Sequence, residues 1–361
     1  MNDSRLTKTH QKIPSPMGIG EAKSLIDTYI SQLLDERIRK ARQVSPHYEA
    51  LWQAINNLYQ AGGKRLRPYM TLLTYTAFGG EQATNILPAA AAQELLHQAM
   101  LIHDDIIDRD TIRYNVKNIT GQFEDVYKGF LKETTERRHF AESVAILAGD
   151  LLISEAHLQV SKVDADIQWI LSDAMFHVIG GELLDTEASF RIPNDIDPLM
   201  IATQKTASYS FVGPLVMGAT LAKASDEQIS LLRDIGNTVG IAFQQRDDII
   251  GVFGDEMATG KSSDGDIREG KQTLLINEFY KRANNDQKAQ FDNVFGHQTS
   301  TKAQIERSKM LLIETGTKAV IESSISRYQS IVIKQILRLD INNEYRDMFV
   351  DLVNKSLERD S

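Results

Sequence analysis

The chain has 361 residues, enough for a sizeable buried core and for about two domains at roughly 150 residues each. Hydrophobic residues make up 42% and charged residues 25%, the mix of an ordinary soluble globular protein. Lys plus Arg is 40 against Asp plus Glu at 49, a net charge of -9. That balance argues against a general nucleic-acid binder, which needs a basic face to displace counterions, but leaves room for a local basic pocket. Cysteine is absent, which excludes disulfides, thiolate zinc sites and cysteine nucleophiles. Eight prolines fall well below the average of about 5%, so the chain leans toward long helices.

Residues 1–18 read as a polar N-terminal tail, expected to be disordered, with Pro14 and Pro16 but without the apolar stretch of a signal peptide. Beyond it, helical periodicity dominates and strict alternation is hard to find, which predicts an all-α protein. Ser24 to Ala41 is amphipathic, with Leu25, Tyr29, Leu33 and Ile38 along one broad face. Pro88 is expected to open a long apolar helix, Ala89 to Asp108. The span 114–139 is polar and charged, with Lys128, Lys132, Glu133, Glu136, Arg137 and Arg138, and reads as an extended loop with some helix. No run approaches the ~18 apolar residues of a membrane span, since Ala141–Ile153 and Leu215–Ala222 are short and interrupted. A cytoplasmic location is the expectation. Ser225 and Gln228 form a capping box ahead of Ile229, Leu232, Ile235 and Val239, a helix running to about Asp248 or slightly beyond. Gly254 to Gly270 carries four glycines with several Asp and Ser and reads as a lid-like loop. From Lys302 onward the chain is again helical. No repeat of solenoid period occurs, but Asp104-Asp105-Ile106-Ile107-Asp108 is echoed by Asp247-Asp248-Ile249-Ile250-Gly251.

That echo carries the chemistry. Asp104 and Asp108 are four apart and share one helical face, where like charges repel and nothing local neutralises them. A bound cation reverses that cost. Oxygen-only sites suit a hard ion, and Mg²⁺ takes one or two carboxylates plus waters and substrate phosphates. A solvated acidic helix end is the plainer reading of one such cluster. The second cluster, on another apolar helix, sets Gln244, Asp247, Gly251 and Asp255 roughly on one face and points to a two-sided magnesium–diphosphate clamp. Gly62-Gly63-Lys64-Arg65-Leu66-Arg67-Pro68 places three cations beside two glycines. Glycines allow close backbone approach to an anion, and Lys and Arg give charge-assisted hydrogen bonds to phosphate. Alone, this would be a solvated basic loop. Gly260-Lys261 and Gly270-Lys271 add two more lysines, so an acidic chain gathers cations for a polyanionic substrate. His177 reads as a packed core residue. Gly180-Gly181 lacks a nucleotide-binding context, and Met17, Met70, Met175, Met200 and Met217 read as core filler.

Together these residues resemble the trans-isoprenyl diphosphate synthase family, the head-to-tail polyprenyl synthetases. The resemblance runs from about Gly62 to Thr273. It rests on Gly62–Pro68, His103–Asp108 with Arg113, Ala145–Asp150, Lys205-Thr206-Ala207, Phe243–Asp248 with Gly254-Asp255, Gly260-Lys261 and Asp266–Lys271. It implies that 19–361 is one all-α helical bundle around a deep central cavity, so the two-domain estimate from length does not apply. It further implies a homodimer without nucleic acid or membrane span, using magnesium as cofactor. Asp104, Asp108 and Asp247 would be the direct magnesium ligands, with Asp105 and Asp248 supporting. Arg113, Lys205 and Lys261 would hold the allylic diphosphate (dimethylallyl, geranyl or farnesyl), with Thr206 and Gln244 nearby. Lys64, Arg67 and His97 would hold isopentenyl diphosphate.

The implied mechanism is electrostatic. Charge on the departing diphosphate is stabilised, the isopentenyl double bond attacks the allylic carbocation, and loss of a proton completes the longer chain. Water must be kept out. The chain departs from the family at two places. Tyr114 stands where a second arginine is usual, so Lys117 or the neighbouring loop would have to substitute, and the following loop is longer than the norm. Gly251 replaces the third aspartate of the second motif, as in longer-chain branches. Product length is set beneath the first aspartates: Ala99 is small where short-product members carry an aromatic, and Leu96 and Met100 lie beside it. Geranylgeranyl diphosphate is the expected product, with farnesyl or longer chains as alternatives. Two other readings compete: a terpene cyclase, whose second motif is built on Asn, Ser or Thr and Glu, and a non-catalytic regulatory subunit of a prenyl synthase.

Overall fold

The computed structural model describes residues 12–191, 195–254 and 264–358. Helices α1 (Ile19–Val44) and α2 (Pro46–Ala61) are separated by Ser45 alone. The Ser45 hydroxyl accepts the Tyr48 N–H at 3.1 Å, and Pro46 takes the first helical position, where no backbone donor is needed. There follow α3 (Leu66–Ala77), α4 (Ala83–Ile107), a hairpin of β1 (Ile112–Arg113) and β2 (Val116–Lys117), α5 (Ile119–Tyr127), α6 (Thr134–Val160), α7 (Ala165–Ala188) and α8 (Pro198–Ile201). A π-helix, Ala202–Val212, leads into α9 (Gly213–Leu221) and α10 (Asp226–Phe253). The remaining helices are α11 (Gly265–Glu269), α12 (Leu274–Arg282), α13 (Asn285–Asp292), α14 (Lys302–Glu314), α15 (Thr317–Ile336) and α16 (Asn343–Leu357).

Four expectations are adjusted. The polar tail is tied down from residue 12: Lys12 bridges Gln82, the Ile13 N–H donates to Glu81 O at 2.9 Å, and Ile13 and Met17 are buried. Pro88 lies inside α4 rather than at its start. The hydrogen bond a proline removes is outweighed by burial, since Ile86 and Ala89 to Ala92 are 0% exposed. The span 114–139 is a hairpin, a helix and the start of α6 rather than a loop. Asn118 caps α5, its Oδ1 accepting the Gly121 N–H at 2.9 Å. Ser225 caps α10, its hydroxyl accepting the Gln228 N–H at 3.4 Å, but no capping box closes because Gln228 Oε1 accepts the Asp340 N–H at 2.9 Å; the helix continues to Phe253.

The backbone divides into two compact units, Met1–Leu171 with Val216–Ala224, and Ser172–Leu215 with Ser225–Ser361. In the first, α4 packs on α6. Ala89 to Ala92 of α4 and Ala141, Ala145 and Ala148 of α6 are at most 1% exposed, and such small residues allow close helix approach. Buried polar ties lock α1 to α6: Arg37 meets Glu155 at 2.5 Å, and the Tyr29 hydroxyl donates to Gln159 at 2.8 Å. By length and composition α6 is long and apolar enough to cross a membrane, contrary to the sequence expectation, yet 50% of its apolar window is buried within the protein, as in a core helix.

In the second unit α10 packs against the π-helix and against α15. A Cβ at Gly181 of α7 would stand 2.3 Å from Lys205 N, and one at Gly240 of α10 would stand 2.4 Å from Ala207 Cα. Both flanking helices therefore press directly on the π-helix backbone. Wider winding of this kind is rare and concentrates at functional sites, and here it carries Lys205 and Thr206.

Candidate active site

Asp104 and Asp105 lie in the last turn of α4 and Asp108 caps it. This is the end of a helix where unpaired carbonyls give partial negative charge, and the last turn holds no basic residue. Three carboxylates here need cations from elsewhere. One comes from the hairpin. Tyr114 and Asn115 both have positive φ, 53° and 59°, the geometry of a tight two-residue turn that suits the twist of paired strands. The turn folds Arg113 back so that its Nε donates to Asp105 Oδ1 at 2.9 Å, and its Nη2 lies 3.6 Å from Asp104 Oδ2. Asp105 is 1% exposed, and burial pushes its carboxyl above the usual range against the pull of Arg113. Asp104 and Asp108 remain half-buried.

The basic segment splits its three cations between two jobs. Arg65 is 3% exposed and satisfied from four sides: Asp27 and Gly62 O each at 2.7 Å, Tyr59 O at 2.9 Å and Glu94 at 3.1 Å. It therefore holds the loop shape. Gly63 has φ 110°, and a Cβ there would stand 2.2 Å from the Arg65 guanidinium, so glycine is required. Lys64 is exposed and Arg67 half-buried. His97 is kept well below its ordinary 6.5 by burial and by the Arg67, Arg113 and Arg65 guanidiniums, so it is neutral. Arg67, His97, Arg113 and Tyr114 are thus gathered within each other's fields. The Tyr114 ring abuts the basic loop at Gly62, where a Cβ would be 2.8 Å from it. Lys117 is directed elsewhere, to Asp125 of α5. On α4, Leu96 and Ala99 are 1% and 0% exposed, and Met100 is half-buried.

In the second unit Lys205 Nζ lies 2.6 Å from Asp185 and 2.9 Å from Glu182, both on α7. The Thr206 hydroxyl donates to Gln244 Oε1, Gln244 Nε2 donates to Asp248 Oδ1 at 2.9 Å, and the Leu274 N–H donates to Asp248 Oδ2 at 3.1 Å. This relay joins the π-helix, α10 and α12. Asp248 is 3% exposed and is pushed up to about 7, chiefly by burial, with Asp266 and Asp185 adding to the rise. Asp247 is half-buried. Lys261, with Asp255 and Gly260, lies outside the described residues.

Sequence reasoning missed Glu182 and Asp185. The signal was the Gly180-Gly181 pair, followed by carboxylates on the helix that approaches Lys205. His177 is no packed core residue: its side chain is 36% exposed, bonds Gln204 and lies 3.6 Å from Asp173. Among the described residues no three His, Asp or Glu side chains are grouped to cage a metal. Carboxylate pairs at helix ends suit magnesium instead, which draws its other ligands from water and substrate phosphates.

The all-α chain thus carries an aspartate-rich segment on α4 and another on α10, a basic loop, and a lysine held between carboxylates. The chain belongs to the polyprenyl synthetase family, whose model matches residues 48–312, and it is a prenyltransferase. It is 31% identical over 293 residues to the short chain isoprenyl diphosphate synthase of Methanocaldococcus jannaschii, covering 80% of this chain and 83% of that one. It is 32% identical over 297 residues to the geranylgeranyl diphosphate synthase of Methanosarcina mazei, covering 80% and 82%. The crystal structure of geranylgeranyl pyrophosphate synthase from Corynebacterium glutamicum, complexed with isoprenyl diphosphate and magnesium, superposes with a TM-score of 0.88 at 28% identity. That match covers 95% of this chain and 100% of the other.

Proposed function

We propose that the enzyme condenses isopentenyl diphosphate with an allylic diphosphate to give an all-trans prenyl diphosphate, chiefly geranylgeranyl diphosphate. The observation that carries the reading is the repeated arrangement of the echoed motifs. In each, the second aspartate is buried, at 1% for Asp105 and 3% for Asp248, while Asp104, Asp108 and Asp247 stay half-buried. Asp104, Asp108 and Asp247 hold magnesium, which when bound neutralises charge on the leaving diphosphate. Arg113, Lys205 and Lys261 bind the allylic diphosphate, with Thr206 and Gln244 beside Lys205. Lys64, Arg67 and neutral His97 receive isopentenyl diphosphate. The allylic carbon–oxygen bond breaks, the isopentenyl π electrons form the new carbon–carbon bond, and a lost proton restores the alkene.

Ala99 and the names of the relatives favour the geranylgeranyl length, with Leu96 and Met100 shaping the pocket floor. We also propose a homodimer. Trp169, Phe176, Ile179 and Leu183 form an apolar stripe along α7 at 63%, 76%, 50% and 65% exposure. Large exposed apolar faces mark association surfaces. Incubation of the purified enzyme with farnesyl diphosphate, isopentenyl diphosphate and magnesium should yield a C20 product by chromatography. Failure to elongate farnesyl diphosphate would sink the geranylgeranyl assignment.

A further inference from the structure

The lysine of the π-helix is held at both ends by one neighbouring helix. Gly181 of α7 presses on its backbone, where a Cβ would stand 2.3 Å from Lys205 N and 2.7 Å from Lys205 Cα. The next residue along α7, and one a turn further, hold its ammonium: Lys205 Nζ lies 2.9 Å from Glu182 Oε2 and 2.6 Å from Asp185 Oδ2. Residues three apart share a helix face, so both carboxylates reach the ammonium from α7. All three side chains are half-buried.

The following residue is tied to a different helix. The Thr206 hydroxyl donates to Gln244 Oε1 on α10. Asp185 also lies within the field of Asp248, where its charge adds to the rise that burial causes. The Lys205 ammonium is therefore tethered beside the second aspartate motif. A lysine is a compact charge on a flexible four-carbon stem, and nothing in its own covalent geometry fixes where that charge sits. A cation that meets a diphosphate acts best when it is in place before the substrate arrives.

We propose that Glu182 and Asp185 are positioning residues: they hold the Lys205 ammonium where it meets the allylic diphosphate, and they act on the substrate only through it. This rests on the reading of Lys205 given above. Two effects of the pair oppose each other. As anchors they improve diphosphate binding, and as negative charges near a polyanion they weaken it. The sign of the change on removing them therefore separates positioning from field.

The test uses the full chain with farnesyl diphosphate, isopentenyl diphosphate and magnesium, and compares the KM of each substrate. Glu182→Ala combined with Asp185→Ala should raise the KM for farnesyl diphosphate about tenfold or more, the scale of a misplaced binding group, and leave the KM for isopentenyl diphosphate unchanged. Lys205→Met should raise the farnesyl diphosphate KM as well. In the Lys205→Met background the two alanine substitutions should add nothing, since residues that act through one another are not additive. The pair Glu182→Gln with Asp185→Asn keeps the side-chain volumes and weakens the same hold. It should give a smaller shift of the same kind, and it serves if the alanine variant does not fold. A lowered or unchanged farnesyl diphosphate KM in the carboxylate variants, with a raised one in Lys205→Met, overturns the inference and leaves Lys205 in its role. Equal rises for both substrates, or a further rise in the Lys205→Met background, overturn it too. An unchanged KM in Lys205→Met would remove the reading of Lys205 itself.

Discussion

Asp105 and Asp248 hold the same place in the echoed sequence, the second of two aspartates, one in the last turn of α4 and the other before the last turn of α10, and both are buried. Asp105 meets a guanidinium, with Arg113 Nε at 2.9 Å. Among the described residues Asp248 meets amides alone, Gln244 Nε2 at 2.9 Å and the Leu274 N–H at 3.1 Å, and has Asp266 and Asp185 for neighbouring charges. One motif thus sits beside guanidiniums, which add to the burial that keeps His97 well below 6.5. The other has acids as neighbours, which add to the burial that pushes Asp248 up to about 7. Identical local sequences acquire opposite fields, and the field is set by what the chain does afterwards: a hairpin returns Arg113 in the first case, and a turn brings Asp266 in the second.

The sharpest way to break this contrast is to neutralise each buried aspartate in turn. Asp105→Asn takes from Arg113 its hydrogen-bonded counter-charge and leaves it Asp104 at 3.6 Å. Removing one partner of a buried pair costs about 3–5 kcal/mol, and the remaining contact brings the loss to the low end of that range. The side chains are 2% and 11% exposed, so solvent offers little relief. Asp248→Asn removes a carboxylate that meets no cation among the described residues and forfeits one hydrogen bond, at about 1 kcal/mol. Denaturant unfolding of both variants in magnesium-free buffer measures the gap. Equal losses would mean that the two sites are electrostatically alike.

That contrast was only half legible in the sequence. Apolar spacing located α1, α4 and α10, and the capping pair at Ser225 located a start, because both signals are local. Aspartate and lysine positions were legible for the same reason. The hairpin was hidden because Tyr114-Asn115 lacks the glycine that usually marks positive φ. The partners of Lys205 were hidden because Glu182 and Asp185 meet it only through the close approach at Gly181. Arg65 read as one of three phosphate-binding cations, and its consumption by Asp27, Tyr59, Gly62 and Glu94 depends on long-range packing.

A smaller effect tests whether the hairpin that supplies Arg113 also shapes the basic loop. Gly62→Ala puts a methyl 2.8 Å from the Tyr114 ring, and overpacking of this kind costs about 1–3 kcal/mol. Tyr114→Ala in the same background should return most of that loss and the isopentenyl diphosphate KM with it. If Gly62→Ala is silent, or the double variant is merely additive, the hairpin and the loop are independent and the cationic field around His97 has two unrelated sources.

The smallest effects are the pH slopes, which should have opposite signs in the two regions. Folded His97 binds its proton less tightly than the unfolded chain, whose ordinary value is 6.5. Its contribution is therefore complete above pH 6.5 and is lost as pH falls below it. Folded Asp248 keeps its proton up to about 7, whereas the unfolded carboxyl releases it near 3.8. Its contribution is therefore greatest in acid and falls as pH rises from about 4 through 7. Each slope is at most about 1.4 kcal/mol per pH unit. Melting in magnesium-free buffer from pH 5 to 8 separates them. Relative to the native chain, His97→Gln should gain stability toward pH 5, and Asp248→Asn should gain it toward pH 8. Curves that stay parallel to the native one would mean that neither field moves a proton, and the two motifs would then differ in contacts but not in charge.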